Sequence, residues 1–256
     1  DRCLSRGLGD VYKRQQMARK ISLNSAYGAI GNQYFRYYDK AIAEGITKSG
    51  QLSIRWIENR LNKYLNNILK TDEDYVIASD TDSVYLTLDK LVTETIKSDN
   101  ALSKTINFLD KVASESIEPY ITKSYDELKQ YTNAFANKMF MKREVIADKG
   151  IWVAKKRYIL NVWNSEGISY NESKLKIMGI EAVKSSTPAM CRAKIKDALE
   201  LIMTSDEKEL NQFIRTFREE FLNVNPELIS FPRSVKGLSK YFDSGTTFKK
   251  GTPMHV

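Results

Sequence analysis

Two β-rich runs, YVIAS at 75–79 and SVYLTL at 83–88, stand on either side of Asp80-Thr81-Asp82. This strand, acidic turn, strand pattern is the strongest constraint on the fold, and it reads as an antiparallel hairpin. Before it, Ile42, Ile46, Ile54, Ile57, Leu61, Leu65 and Ile68 recur near three- and four-residue spacings, which predicts a helix from Lys40 to Lys70, ended by Asp72 to Asp74. An earlier helix is predicted from Gln16 to Tyr27, broken by Gly28 and Gly31. Helical sequence returns between Ala101 and Gln130, interrupted near Pro119. MFMKREVIA (139–147) and GIWVAKKRYILNVW (150–163) read as strands joined by a turn at Asp148-Lys149-Gly150. Pro188 is expected at a first helical position behind the Ser and Thr of KSSTP (184–188), opening helical sequence to about Leu222. The remainder is loop-rich and stops at GTPMHV. Interleaved helices and strands without an internal repeat define an α+β class.

Composition narrows the chemistry. A chain of 256 residues accommodates one large domain or two modest ones. Its 40 Lys+Arg against 32 Asp+Glu give a formal charge of +8, which favours an anionic partner such as nucleic acid or nucleotide. Cys3 and Cys191 form no disulfide framework, which suits a reducing compartment, and His255 is the only histidine, so a Ser-His-Asp triad or a His-rich zinc site is poorly served. No apolar run approaches the roughly 20 residues of a membrane span, and the N-terminus has no signal-peptide core; a soluble intracellular protein is expected. Residues 1–15, DRCLSRGLGDVYKRQ, lack a sustained apolar period and resemble a translated sequencing-adapter read-through, so they are set aside as a non-native tail. They hold four basic and two acidic residues, and the rest of the chain stays net basic without them.

Three motifs carry chemistry. Asp80 and Asp82, at a spacing of two on extended backbone, fall on one side and can converge on a hard cation such as magnesium; the bland reading is a solvated β-turn. Lys20, Asn24 and Tyr27 share a helical face that can hold a phosphate, a sugar and a base edge, although in isolation the same face reads rather as the exposed side of an amphipathic helix with Tyr27 half-buried. Neither GxGxxG nor a GxxxxGK[ST] loop accompanies them. Lys155-Lys156-Arg157-Tyr158 places basic and aromatic groups within a predicted strand and suits a nucleic-acid backbone, against the plain alternative of charges on an open sheet face. Glu144, beside Lys142 and Arg143, reads by itself as a surface ion pair.

In this order and at these separations the motifs resemble family B replicative DNA polymerases, most closely those of tailed bacteriophages. The resemblance covers nearly everything from Ala18 to Val256. Lys20 to Gly28 looks like the finger-helix motif, Asp80 to Ser83 like the Asp-Thr-Asp-Ser palm motif, and Lys155 to Tyr158 like the Lys-Lys-x-Tyr motif; GNQYFRYYD, REVIADKGIWVAKKRY and KIMGIEAVKSSTP also match. The resemblance implies an antiparallel palm sheet with packed helices followed by a mostly helical partial thumb: residues 16–31 as the end of the fingers, 32–180 as an incomplete palm and 181–256 as the start of the thumb. It further implies DNA-directed primer extension from dNTPs, with Asp82 and Asp80 as catalytic ligands of two Mg2+ ions and Glu144 as an auxiliary carboxylate. Lys20 would contact the triphosphate, and Asn24 and Tyr27 the nascent base pair. Lys155, Lys156, Arg157 and Tyr158 would lie against primer-template DNA. A sliding clamp and replisome proteins are implied as partners of the full-length parent, in the cytoplasm of a bacterial host.

The Asp-x-x-Ser-Leu-Tyr-Pro-Ser motif that supplies another palm aspartate in this family does not occur in the chain. The chain is therefore expected to be an internal fragment that does not polymerise DNA by itself, its third catalytic Asp lying elsewhere. The alternative is a non-catalytic nucleic-acid-binding module that retains the basic cleft. A calcium-binding loop is disfavoured, because the 12-residue acidic spacing of an EF-hand is missing after Asp80.

Overall fold

The computed structural model describes residues 2–96, 102–233 and 236–237; His255 and the GTPMHV end lie outside the described residues. The chain divides into two compact units, residues 1–105 with 111–142, and residues 106–110 with 143–256. Both contain antiparallel sheet and helices, the α+β class expected.

The first unit opens with α1 (Arg2–Ile30), which runs through the residues set aside at the N-terminus and through Gly28. An uninterrupted backbone ladder tolerates a glycine at about 1 kcal/mol, so Gly28 does not break it. The helix ends one turn later, where the Gly31 N–H donates to the Tyr27 carbonyl at 3.2 Å. Helix α2 (Lys40–Leu69) falls within a residue of its predicted bounds. Asp39 caps it by accepting from the Ala41 and Ile42 N–H groups at 2.8 and 3.0 Å, and Lys70 closes it in a left-handed conformation.

Of the predicted apolar stripe on α2, only Ile57, Leu61 and Leu65 are buried; Ile42, Ile46 and Ile68 are exposed. The elements that bury α2 meet it between Ser53 and Leu65, and the stripe stays open on either side of that stretch. There it packs against β1 (Val76–Asp80), β2 (Ser83–Leu86) and α5 (Glu118–Tyr131), in a core of Ile57, Leu61, Val76, Ile117, Ile121, Tyr125 and Leu128. Helices α3 (Asp89–Thr95) and α4 (Leu102–Val112) follow the hairpin. The predicted interruption near Pro119 is a π-helical turn, Ala113–Ile117, in which the Glu118 N–H reaches back five residues to the Ala113 carbonyl. Proline lacks an N–H and crowds the carbonyl four residues before it, and the widened turn relieves both without ending the helix.

The second unit is a three-stranded antiparallel sheet, β3 (Val145–Ala154), β4 (Arg157–Ser165) and β5 (Ile168–Met178), with β4 central. A core of Ile159, Ile180, Ala182, Leu199 and Met203 joins the sheet to α6 (Ala189–Thr204). Two sequence expectations are corrected here. The 139–144 part of the predicted strand is irregular, and β3 passes straight through Asp148-Lys149-Gly150, so the turn falls at Lys155-Lys156. Gly150 serves close packing rather than turning: a Cβ there would lie 2.8 Å from both Leu160 and Trp152. Asp148 accepts instead from buried Asn161 across the ladder at 2.8 Å. The second correction concerns the helical sequence after Pro188. Pro188 is the N-cap residue and has no side-chain cap bond, and the stretch is broken at Ser205-Asp206. There Asp206 caps a separate helix, α7 (Glu207–Leu222), by accepting from the Glu209 N–H at 2.9 Å, before the single turn α8 (Pro226–Ile229).

Candidate active site

The hairpin that carries the two carboxylates is fixed to α2 through asparagines one helical turn apart. Asn62 accepts from the Tyr75 and Val76 N–H groups at 2.9 and 3.1 Å and donates to Asp74, while Asn66 accepts from the Glu73 N–H at 2.9 Å. These bonds satisfy strand-entry donors that packing against a helix would otherwise strand. From that anchor the β1–β2 ladder shifts register once, between Val76 and Ala78, and then pairs regularly to Asp80 opposite Ser83, leaving Thr81 and Asp82 in the turn.

Asp80 is half-buried and accepts from the Thr81 N–H at 2.7 Å and the Thr81 hydroxyl at 3.2 Å, while Asp82 is exposed at the tip. The two acids border a cleft of about 750 Å³ that Tyr27, Thr47, Tyr125 and Lys138 also line. Burial pushes the Tyr125 phenol above its ordinary value of 10.0, so it stays neutral at physiological pH. Oxygen donors of this hardness suit magnesium. Among the described residues no group of three His, Cys, Asp or Glu side chains that could hold a metal ion gathers at one place.

The other predicted residues separate into two groups. Lys20 and Asn24 lie on exposed turns of α1 and do not line the cleft, whereas Tyr27, on the same helix, does. The remaining ones belong to the second unit. There Lys155 and Lys156 form the exposed two-residue turn between β3 and β4, and Lys156 is left-handed at φ 60°. Arg157 donates to Glu181 at 2.5 Å, and hydrogen bonds from Lys184 and from its own backbone, with the Arg157 charge, hold the Glu181 carboxyl below the ordinary 4.5. Tyr158 is buried beside Trp152, their rings 6.1 Å apart. Glu144 pairs with Lys176 at 2.5 Å. Thr47, Tyr125 and Lys138 were not singled out by any motif; Thr47 is legible only once α2 is placed against Tyr27.

The sequence model of DNA polymerase family B matches residues 2–239. The chain belongs to DNA polymerase family B. It is 40% identical over 251 residues to the DNA-directed DNA polymerase of Escherichia phage RB69 and 37% identical over 254 residues to that of Enterobacteria phage T4, in each case over 94% of this chain. A more distant relative, DNA polymerase 1 of Saccharolobus solfataricus, is 24% identical over 256 residues. The family B chain spans 28% of the length of the two phage relatives. No helix among the described residues is long and apolar enough to cross a membrane.

Proposed function

We propose that this family B chain forms the nucleotidyl-transfer centre of a longer DNA-directed DNA polymerase that extends a primer from dNTPs during replication. The observation that carries the reading is the meeting of Asp80, Asp82 and Tyr27 on one cleft. Asp82 and Asp80 would hold two Mg2+ ions, with a further aspartate outside these residues completing the set and Glu144 as an auxiliary carboxylate. Bound there, the ions supply charge stabilisation to the attacking 3′-oxygen and the leaving pyrophosphate.

The chain's own residues bind and orient. Lys20 neutralises the triphosphate, Asn24 and Tyr27 border the nascent base pair, and Lys155, Lys156 and Arg157 hold the duplex by its phosphates, independently of sequence, while Tyr158, buried behind them, supports their strand instead of touching DNA. Residues 16–31 act as the end of the fingers, 32–180 as palm and 181–256 as the start of the thumb. A sliding clamp and replisome proteins would bind through the full-length enzyme, in the cytoplasm of the host cell.

In that enzyme, Asp82→Ala is expected to lower single-nucleotide extension by on the order of 10³-fold or more, the several kcal/mol a metal ligand commands, while duplex affinity in a gel-shift titration stays within about threefold. The exposed basic turn at Lys155-Lys156 equally serves one competing reading, a non-catalytic nucleic-acid-binding module. An enzyme that extends primers equally well with and without Asp82 rejects the proposed centre.

A further inference from the structure

Tyr27 and Thr47 come from different helices, 20 residues apart, and their hydroxyl oxygens lie 2.9 Å apart at the cleft. The Thr47 hydroxyl also lies 3.0 Å from the Ala43 carbonyl one turn back on α2, which can only accept, so when its single proton goes there Tyr27 is the donor to Thr47; either hydroxyl can donate to the other. What Tyr27 offers a base pair is the fixed position of a ring, half of whose surface is open.

The two helices are in contact beside this bond: a Cβ on Gly31, at the end of α1, would lie at ordinary van der Waals distance, 3.6 Å, from the Ala43 Cβ, which places Thr47 one turn from the crossing of the two helices. We infer that Thr47 is a positioning residue for nucleotide selection: it pins the Tyr27 ring so that correctly paired bases pass and misshapen pairs are refused. This rests on the reading of Tyr27 as a neighbour of the nascent base pair.

The test uses the full-length polymerase and compares kcat and KM for correct and mismatched dNTPs in single-nucleotide insertion. Thr47→Val keeps the shape and removes the hydroxyl, Thr47→Ser retains it, and Tyr27→Phe removes its partner. Loss of one hydrogen bond is expected to lower discrimination by about three- to tenfold in Thr47→Val, mostly through a lower KM for mismatched nucleotides. Thr47→Ser should restore most of it, and Tyr27→Phe with Thr47→Val together should be no worse than either alone. If Thr47→Val discriminates normally while Tyr27→Ala does not, the pin is overturned and Tyr27 keeps its place at the nucleotide. If Tyr27→Ala also discriminates normally, the nucleotide-site reading falls and the pin with it. Additive losses in the double variant would overturn the pin alone.

Discussion

Gly179 closes β5 with φ at 67° and lies against the Lys155-Lys156 turn: a Cβ at this position would fall far inside the 3.0 Å that real Cβ contacts respect, directly on the Lys156 carbonyl, and 3.1 Å from Arg157 Cγ. Gly179→Ala therefore carries two costs. The left-handed backbone costs a side chain about 1–2 kcal/mol. The overlap is with backbone rather than a flexible side-chain end, so the turn itself must move, at about 1–3 kcal/mol more. Gly167 provides the control, since its φ is 87° but nothing lies within 4 Å of its added Cβ, and Gly167→Ala should show the backbone cost alone. Urea denaturation followed by the fluorescence of Trp152 and Trp163, with Trp56 of the first unit replaced by Phe in every variant compared, reads the second unit. Gly179→Ala should lose about 2–5 kcal/mol there, Gly167→Ala about 1–2. The same displacement should weaken duplex binding by the full-length enzyme in Gly179→Ala and leave it intact in Gly167→Ala. Equal loss of stability in the two variants would refute the claim that Gly179 is required by its contact with Lys156.

Two further outcomes follow from the first unit. Asn62→Ala leaves the Tyr75 N–H without its acceptor and the Val76 N–H with Asp74 alone, at 3.2 Å, and should cost about 1–3 kcal/mol by denaturant titration, with a parallel fall in primer extension because the Asp80 hairpin loses its anchor. Tyr125 has a folded-state pKa raised by burial, so its contribution to stability is complete below the ordinary 10.0 and is lost as pH rises through the raised folded value. Tyr125→Phe, melted across that alkaline range, should show a shallower fall than the parent; identical slopes would mean that the phenol is not desolvated.

What the sequence revealed and what it hid divide along the range of the interactions involved. The hairpin at 75–88 was legible because β-branched runs and a polar turn are local signals, and α2 was legible because apolar residues recur at three- and four-residue spacings along it and the acidic run at 72–74 follows it. The turn at 155–156 was missed because Asp-Lys-Gly at 148–150 is the better local turn signal, yet Gly150 is needed under Trp152 and Leu160, and Asp148 answers Asn161, thirteen residues on. The N-terminal half of α2 shows the same limit in reverse: Ile42 and Ile46 have the spacing of a core stripe, yet both stay exposed although α1 crosses this end of α2 at Ala43 and Thr47. The candidate site obeys this division too. Asp80 and Asp82 stand out as neighbours in sequence, but Thr47 is an ordinary helical threonine until α1 is laid against α2. Residues that act on a ligand directly can carry a motif, because ligand chemistry fixes their types and spacing. A residue that acts through another is chosen by one contact that only the fold creates, so positioning residues such as Thr47 have to be sought in the structure.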